Sequence, residues 1–369
     1  MRDAGCASSP PRLLASLLMD YTTTIADLTG DAVLYRDLEP CDAALPRLAT
    51  LRTALRMPPA TMPPRKRDRD YARLALALAL AARRHYGGPP LTALAVIGDT
   101  ENDRLLATHL AALGELPTYG FIGEDRPVAA ESIAWQTNIA TATRWHLIHA
   151  WAATLEERGV NWASTALLID LDKTLLGPRG RSDGAIDDAR AEGALVIAHT
   201  IYPQLDVPAF RRNYAELCRQ EWHGYTLDNQ DYVVATALFA AAGALDLVAL
   251  RRAIDAERTP TFAEELQASA AQLPSGLLPL HQELSSRVAD GDPTPFKAFR
   301  RAELTATLER MADGRLTLCS EIYHLGLRLK AQGTLCLAAS DKPTESAIPS
   351  AEQQALGMLP LHRMPAQVG

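Results

Sequence analysis

A chain of 369 residues is long enough for two domains, or for one core carrying a large insertion. Its 47% hydrophobic and 22% charged residues suit a soluble globular protein. A net charge of -7 leaves no basic footprint, so nucleic acid is not an expected partner and any phosphate would need a local basic pocket.

Five scattered cysteines (Cys6, Cys41, Cys218, Cys319, Cys336) form no CxxC pair or Cys/His cluster. Neither structural zinc nor a disulfide scaffold is expected, and a reduced, cytoplasmic setting is the simplest. The apolar stretch at residues 13–19 is too short for a membrane span and lacks a signal-peptide layout, so no membrane partner is expected. The apolar run at 72–82 is flanked by charges and reads as a buried helix.

Residues 1–12 read as disordered. A short strand is expected at 16–19, ending at Asp20, and then a hairpin with Thr29-Gly30-Asp31 as its turn and 32–35 as its return strand. Residues 43–56 have helical period, and 57–64 form a proline-rich connector. A strong helix over 70–86 closes at Gly87-Gly88. A buried strand at 94–97 runs into Gly98-Asp99-Thr100-Glu101-Asn102-Asp103, with a helix continuing from Arg104. Another strand at 118–122 ends at Gly123, and 129–158 reads as mostly helical.

The most specific stretch follows: Leu167-Leu168-Ile169-Asp170-Leu171-Asp172-Lys173-Thr174. An apolar run that ends in two acids delivers them to the carboxyl edge of a sheet, where open α/β folds bind ligands. A lone Asp there is commonly an Asx-turn cap, but the full pattern supplies a nucleophile or metal ligand beside a proton-transfer group. Residues 187–311 are almost wholly helical. A helix over 321–332 and a strand over 334–339 then lead to Ser340-Asp341-Lys342-Pro343. A helix at 345–356 and a short strand at 359–362 close the chain. Strands alternating with helices predict an α/β fold with a parallel sheet. No internal repeat and no signal for an oligomeric state are present.

Asp170-Leu171-Asp172-Lys173-Thr174 resembles the first motif, DxDx[TV], of the haloacid dehalogenase (HAD) superfamily. The strand ending in Ser340 resembles its second motif, and Gly98 to Asp103 resembles its fourth in the GDxxND form. The resemblance implies a Rossmannoid parallel sheet with a large helical cap of C1 type at 187–311, the core being made from 1–160, 161–186 and 312–369. The motif order departs from the family, because Asp99 lies upstream of Asp170. Two arrangements accommodate this. In one, the chain is circularly permuted and the N-terminal segment supplies the missing strands. In the other, two incomplete units stand in tandem, with Asp20-Tyr21-Thr22-Thr23-Thr24 as a degenerate first motif. Asp20 also reads as a simple strand cap.

The chemistry so implied is a magnesium-dependent phosphomonoester hydrolase acting on a small phosphorylated substrate. Asp170 would attack phosphorus, and Asp172 would protonate the leaving oxygen and later activate water. Mg2+ suits an all-oxygen site of Asp170, the backbone carbonyl of Asp172, and Asp99, with Asn102 and Asp103 supporting that shell. Thr174 completes the first motif, and Ser340 would donate to a phosphoryl oxygen. Lys66 stands about where the third-motif lysine belongs, although Arg65, Lys66 and Arg67 also read as a solvated basic run. Lys342 is the competing cation. A dehalogenase would leave Asp172 without purpose. The rival from another class is a catalytically silent HAD-like protein that binds a ligand or partner. Outside these motifs, His223, Tyr225, Asp231 and Tyr232 read as cap-core residues, and Trp145, His146, His149 and Trp151 as packing residues. Lys297, Arg300 and Arg301 read as a solvated helix face.

Overall fold

A computed structural model of the chain describes residues 22–58 and 62–369. The expected strand at 16–19, Asp20 and the segment 1–12 lie outside the described residues, as do residues 59–61 of the connector. Nine strands are described: β1 (Thr22–Thr23), β2 (Val33–Leu34), β3 (Ala93–Gly98), β4 (Thr118–Gly123), β5 (Ile133–Gln136), β6 (Ile139–Ala142), β7 (Thr165–Ile169), β8 (Leu335–Ala339) and β9 (Ala366–Gln367). Seven of them form one sheet in the order β2-β8-β7-β3-β4-β6-β5. Every neighbouring pair in it is parallel except β5 with β6. β1 and β9 form a separate antiparallel pair.

Every residue of β3, β7 and β8 is buried, as expected of strands covered on both faces. Alternate residues point opposite ways. Leu94, Val96, Ala166, Leu168, Leu335 and Leu337 pack on the side of α1 (Arg69–Tyr86) and α2 (Glu101–Leu113). Ala95, Ile97, Leu167, Ile169, Cys336 and Ala338 pack on the side of α3 (Ile148–Glu157) and the helix Ser320–Ala331. The register sets Ile97 opposite Ile169, and Ile169 opposite Ala338. The chain therefore leaves these three strands at one level of the same sheet edge. Among the described residues no helix is long and apolar enough to cross a membrane.

Between β7 and β8 lies a helical layer with its own core, which includes Phe210, Trp222, Phe239, Phe296 and Phe299. Its first and last long helices, α4 (Gly184–Ile201) and α5 (Lys297–Ala312), cross at Gly193. A Cβ there would stand 2.6 Å from the amide nitrogen of Glu303 and 2.8 Å from its Cα.

Several elements differ from their sequence signals. Residues 129–158 are not mostly helical: β5 and β6 form a hairpin with Thr137 at φ 55°, and only Ile148–Glu157 is α-helical. The alanines that favoured a helix, Ala140 and Ala142, are the small inward positions of β6. The expected hairpin at 29–31 is instead the end of a helix, Ile25–Thr29, capped by Thr24 with Asp27. β2 then joins β8 in parallel. The helix at 43–56 shrinks to Leu48–Ala54, since Pro46 disfavours a helical Leu45. Pro349 splits the 345–356 helix into a turn at Thr344–Ser346 and a helix at Ala351–Ala355. Pro360 precedes a turn at Leu361–Arg363, so the closing strand is β9 rather than 359–362.

Replacing Gly193 by alanine tests the helix crossing. Alanine favours a helix by about 1 kcal/mol over glycine, yet its methyl group meets the Glu303 backbone. A net loss of about 1–3 kcal/mol is expected in urea unfolding, and a more stable variant would contradict so close a crossing.

Candidate active site

β3 ends at Gly98, and the chain passes through Asp99 and Thr100 into α2. Asp103, in the first turn of α2, folds back over that corner. Its Oδ2 accepts from Thr100 Oγ1 at 2.7 Å, from the Thr100 amide at 3.2 Å and from the Asp99 amide at 3.3 Å. A Cβ on Gly98 would sit 2.2 Å from the Asp103 carboxyl carbon, so only glycine admits this contact. The spacing of GDxxxD thus has a local physical cause. Glycine makes room, the second acid ties the helix start, and Asp99 is left facing outward from the strand edge.

β7 delivers Asp170, whose amide donates to Ile97 O at 2.9 Å. The chain then turns sharply. Leu171 is buried, Lys173 takes the left-handed conformation at φ 63°, and the Leu176 amide donates back to Leu171 O at 2.8 Å. This turn, rather than strand alternation, brings Asp170 and Asp172 to the same cavity. Thr174 Oγ1 lies 3.1 Å from Asp170 Oδ2 and 3.0 Å from Asp99 Oδ1, and donates to one or the other. β8 ends at Ala339, and the amide of the next residue, Ser340, donates to Leu34 O of β2 at 3.0 Å.

Lys66 is buried just ahead of α1 and bridges two acids. Its Nζ donates to Asp103 Oδ1 at 2.7 Å and to Asp170 Oδ1. Arg179, beyond the Asp172 turn, donates from Nε to Asp99 Oδ2 at 2.6 Å. One carboxylate oxygen from each of Asp99, Asp103 and Asp170 lies within 4.8 Å of the others. Burial pushes the Asp170 carboxyl well above its usual range; Lys66 opposes this, while the Asp103 and Asp99 charges add to it. Burial also raises Asp99, against the pull of Arg179. Burial would lower Lys66, but Asp103 and Asp170 outweigh it and hold the ammonium above its ordinary value. Two cations thus contact three buried carboxylates. This all-oxygen, charge-deficient cluster fits a hard divalent cation, for which Asp99, Asp103 and Asp170 are the available side-chain ligands.

Asp172 is not in that cluster. Its Oδ2 accepts from Lys342 Nζ at 3.1 Å, and its Oδ1 is buried without a hydrogen-bond partner among the described residues. Ser340 Oγ accepts the Lys342 amide at 3.1 Å, which leaves its own proton available. Lys342 also approaches Glu303 Oε1 at 3.8 Å. Glu303 is buried on α5 and takes further bonds from Arg190, Arg300 and Ser346. Burial opposes its ionisation, yet Lys342, Arg300 and Arg190 hold it far below the usual glutamate range. Asp99, Asp103, Asp170, Asp172, Lys66, Arg179, Ser340, Lys342, Glu303, Arg190 and Arg300, with Asn102, line one cavity of about 340 Å³ between the sheet edge and the helical layer, and Thr174 and Ser346 support it from behind through their hydrogen bonds.

The sequence singled out Asp99, Asp103, Lys66, Asp170, Asp172, Thr174 and Ser340, and the fold brings these seven to one cavity or its wall. Lys66 is no solvated face, and neither is Arg300, which is buried against Asp231. Lys297 pairs with Asp292 and Glu345, and Arg301 is exposed. Tyr232 stacks on Phe262 at 4.1 Å, Tyr225 is buried, and His223 is exposed. Trp145 and Trp151 are core residues beside Phe121, while His146 and His149 are exposed. Sequence reasoning missed Arg179, Arg190 and Glu303. Only Glu303 left a signal: with Arg300 it puts charge at i, i+3 among the buried positions of an amphipathic helix. Compared with known protein families, with curated proteins and with solved structures, the chain has no match in any of the three.

The Glu303 network predicts an acid sensitivity. A carboxyl held below its unfolded value of about 4.3 stabilises the fold above that pH, and the contribution fades as pH falls through the folded value. Glu303→Gln should therefore be less stable than wild type at neutral pH, with the gap in urea midpoint narrowing below about pH 5. A gap independent of pH would contradict the assigned ionisation.

Proposed function

We propose that the protein is a magnesium-dependent phosphomonoester hydrolase of HAD type, working through an aspartyl-phosphate on Asp170. The observation that carries this reading is the meeting of Asp99, Asp103 and Asp170 at adjoining strand ends, with Lys66 bonded to two of them. The position of β3 beside β7, and of β2 beyond β8, supports the circularly permuted form of the resemblance over the tandem form. The helical layer between β7 and β8 corresponds on this reading to the cap, which would exclude water from the cavity.

A phosphomonoester repels anionic nucleophiles, so positive charge at the phosphoryl group is the first requirement. Magnesium held by Asp99 and Asp170, with Asp103 and the Asp172 carbonyl in support, supplies such charge when bound. Lys66 adds a fixed ammonium bonded to Asp170 Oδ1, and Ser340 has a hydroxyl proton to donate. Asp170 attacks phosphorus as the ester P–O bond breaks, and Asp172 gives its proton to the leaving oxygen. Its unpartnered Oδ1 is the atom suited to carry that proton. Asp172 then takes a proton from water, the resulting hydroxide attacks phosphorus, and the bond to Asp170 breaks to release phosphate. Lys342 orients Asp172 through Oδ2 throughout.

Hydrolysis of p-nitrophenyl phosphate by the full chain is the test. Activity should require magnesium, vanish with a chelator and return on adding magnesium. Asp170→Asn should lose at least about a thousandfold and Asp172→Asn about a hundredfold. Rates equal to the uncatalysed background, or unaltered in Asp170→Asn, would leave the silent ligand-binding protein as the reading.

A further inference from the structure

The cavity wall carries more cations than a single phosphoryl group needs, and they are not equivalent. Lys66, Lys173, Arg179, Arg190, Arg300 and Lys342 each face a carboxylate within the 4.0 Å of an ion pair. Arg36 and Arg65 line the same cavity, and neither guanidinium has a carboxylate within that distance among the described residues. No hydrogen bond from either side chain to a protein acceptor is present there, and Arg65 Nε is buried without a partner. Leaving a buried donor unsatisfied is costly in general, which marks this wall as prepared for something that the described residues do not supply.

The two arginines come from separate parts of the chain. Arg36 follows β2 at the carboxyl edge of the sheet, anchored by its amide to Lys342 O at 3.0 Å. Arg65 immediately precedes Lys66, which holds the nucleophile. Burial first, and the Arg65 charge second, push the Arg36 guanidinium down to about 10, while Asp341 acts in the other direction from beyond ion-pair range. An anion placed between the arginines would relieve that repulsion. Their forked donors suit carboxylate and phosphate oxygens alike, by paired hydrogen bonds. The protein's net charge of -7 gives no general reason for such a patch.

We propose that Arg36 and Arg65 form a second anion subsite of this cavity, so that its substrate is a small phosphomonoester carrying a further carboxylate or phosphate. The substrate class rests on the hydrolase reading above, whereas the subsite itself is a matter of binding.

Binding is therefore the primary readout. The full chain with Asp170→Asn, in which turnover is expected to be at least about a thousandfold slower, is titrated calorimetrically in the presence of magnesium. The ligands are alkyl phosphates of two to six carbons whose far end is methyl, carboxylate or a second phosphate. At the best chain length, a carboxylate- or phosphate-ended ligand should bind at least about tenfold tighter than its methyl-ended counterpart. Adding Arg36→Gln and Arg65→Gln together should bring that ratio to within about threefold of one. The lysine pair, Arg36→Lys with Arg65→Lys, keeps the charge without the fork and should give an intermediate ratio. A ratio near one at every length in the parent protein overturns the subsite without recourse to any variant. A large ratio that survives both glutamines overturns the assignment to these residues. Discrimination in binding with no hydrolysis by the wild-type chain would sink the hydrolase reading and leave the subsite standing.

Discussion

Three carboxylates buried within hydrogen-bonding distance of common partners are an unstable arrangement unless cations enter with them. Lys66 is the group that makes it tolerable: one ammonium, itself buried, bonded to both Asp103 and Asp170. Removing one partner of such an interaction leaves an uncompensated buried charge, which costs far more than the intact pair contributes. The positions of Lys66, Asp103 and Asp170 therefore constrain one another. Gly98 is fixed by Asp103, the α2 start by Asp103 Oδ2, and the turn at Lys173 by the need to bring Asp172 round beside Asp170.

The sheet supplies this meeting without regard to chain order. Asp99 lies well upstream of Asp170 in the chain, yet their strands are neighbours in register. β8, which follows the whole helical layer, flanks β7 on its other side. A parallel strand pair needs only a crossover between its members, so the connection can be rearranged while the carboxyl edge keeps its chemistry. The helical layer closes the cavity from above through a second charged cluster. Glu303 gathers Lys342, Arg300 and Arg190, and Lys342 passes that ordering to Asp172.

Much of this was legible where the sequence pattern changes abruptly. An apolar run ending in acids located the edges of β3 and β7, because buried parallel strands are apolar throughout and their ends are not. Lys66 was only half legible. In the run Arg65-Lys66-Arg67 nothing local says which side chain turns inward, and that depends on Asp103 being there to receive it. Arg179 sits in an irregular loop with no period to read. Helix signals failed at β5 and β6, since alanine serves equally as a helix former and as a small inward strand residue. Pro349 and Pro360 interrupt the chain where the flanking pattern alone predicts a continuous helix and a strand. Arg300 and Glu303 were readable as charges on a buried helix face, but their role required knowing that Lys342 lies opposite.

The most direct measurement is a crystal structure of the protein grown with magnesium and beryllium fluoride, a mimic of a phosphoryl group on a carboxylate. The expected result is a fluoride adduct bonded to Asp170, a metal ion touching both Asp99 and Asp170, and Lys66 and Ser340 directed at the fluorines. A structure with no adduct on Asp170, or with the metal bound away from the strand ends, would contradict a single site assembled from the two halves of the chain.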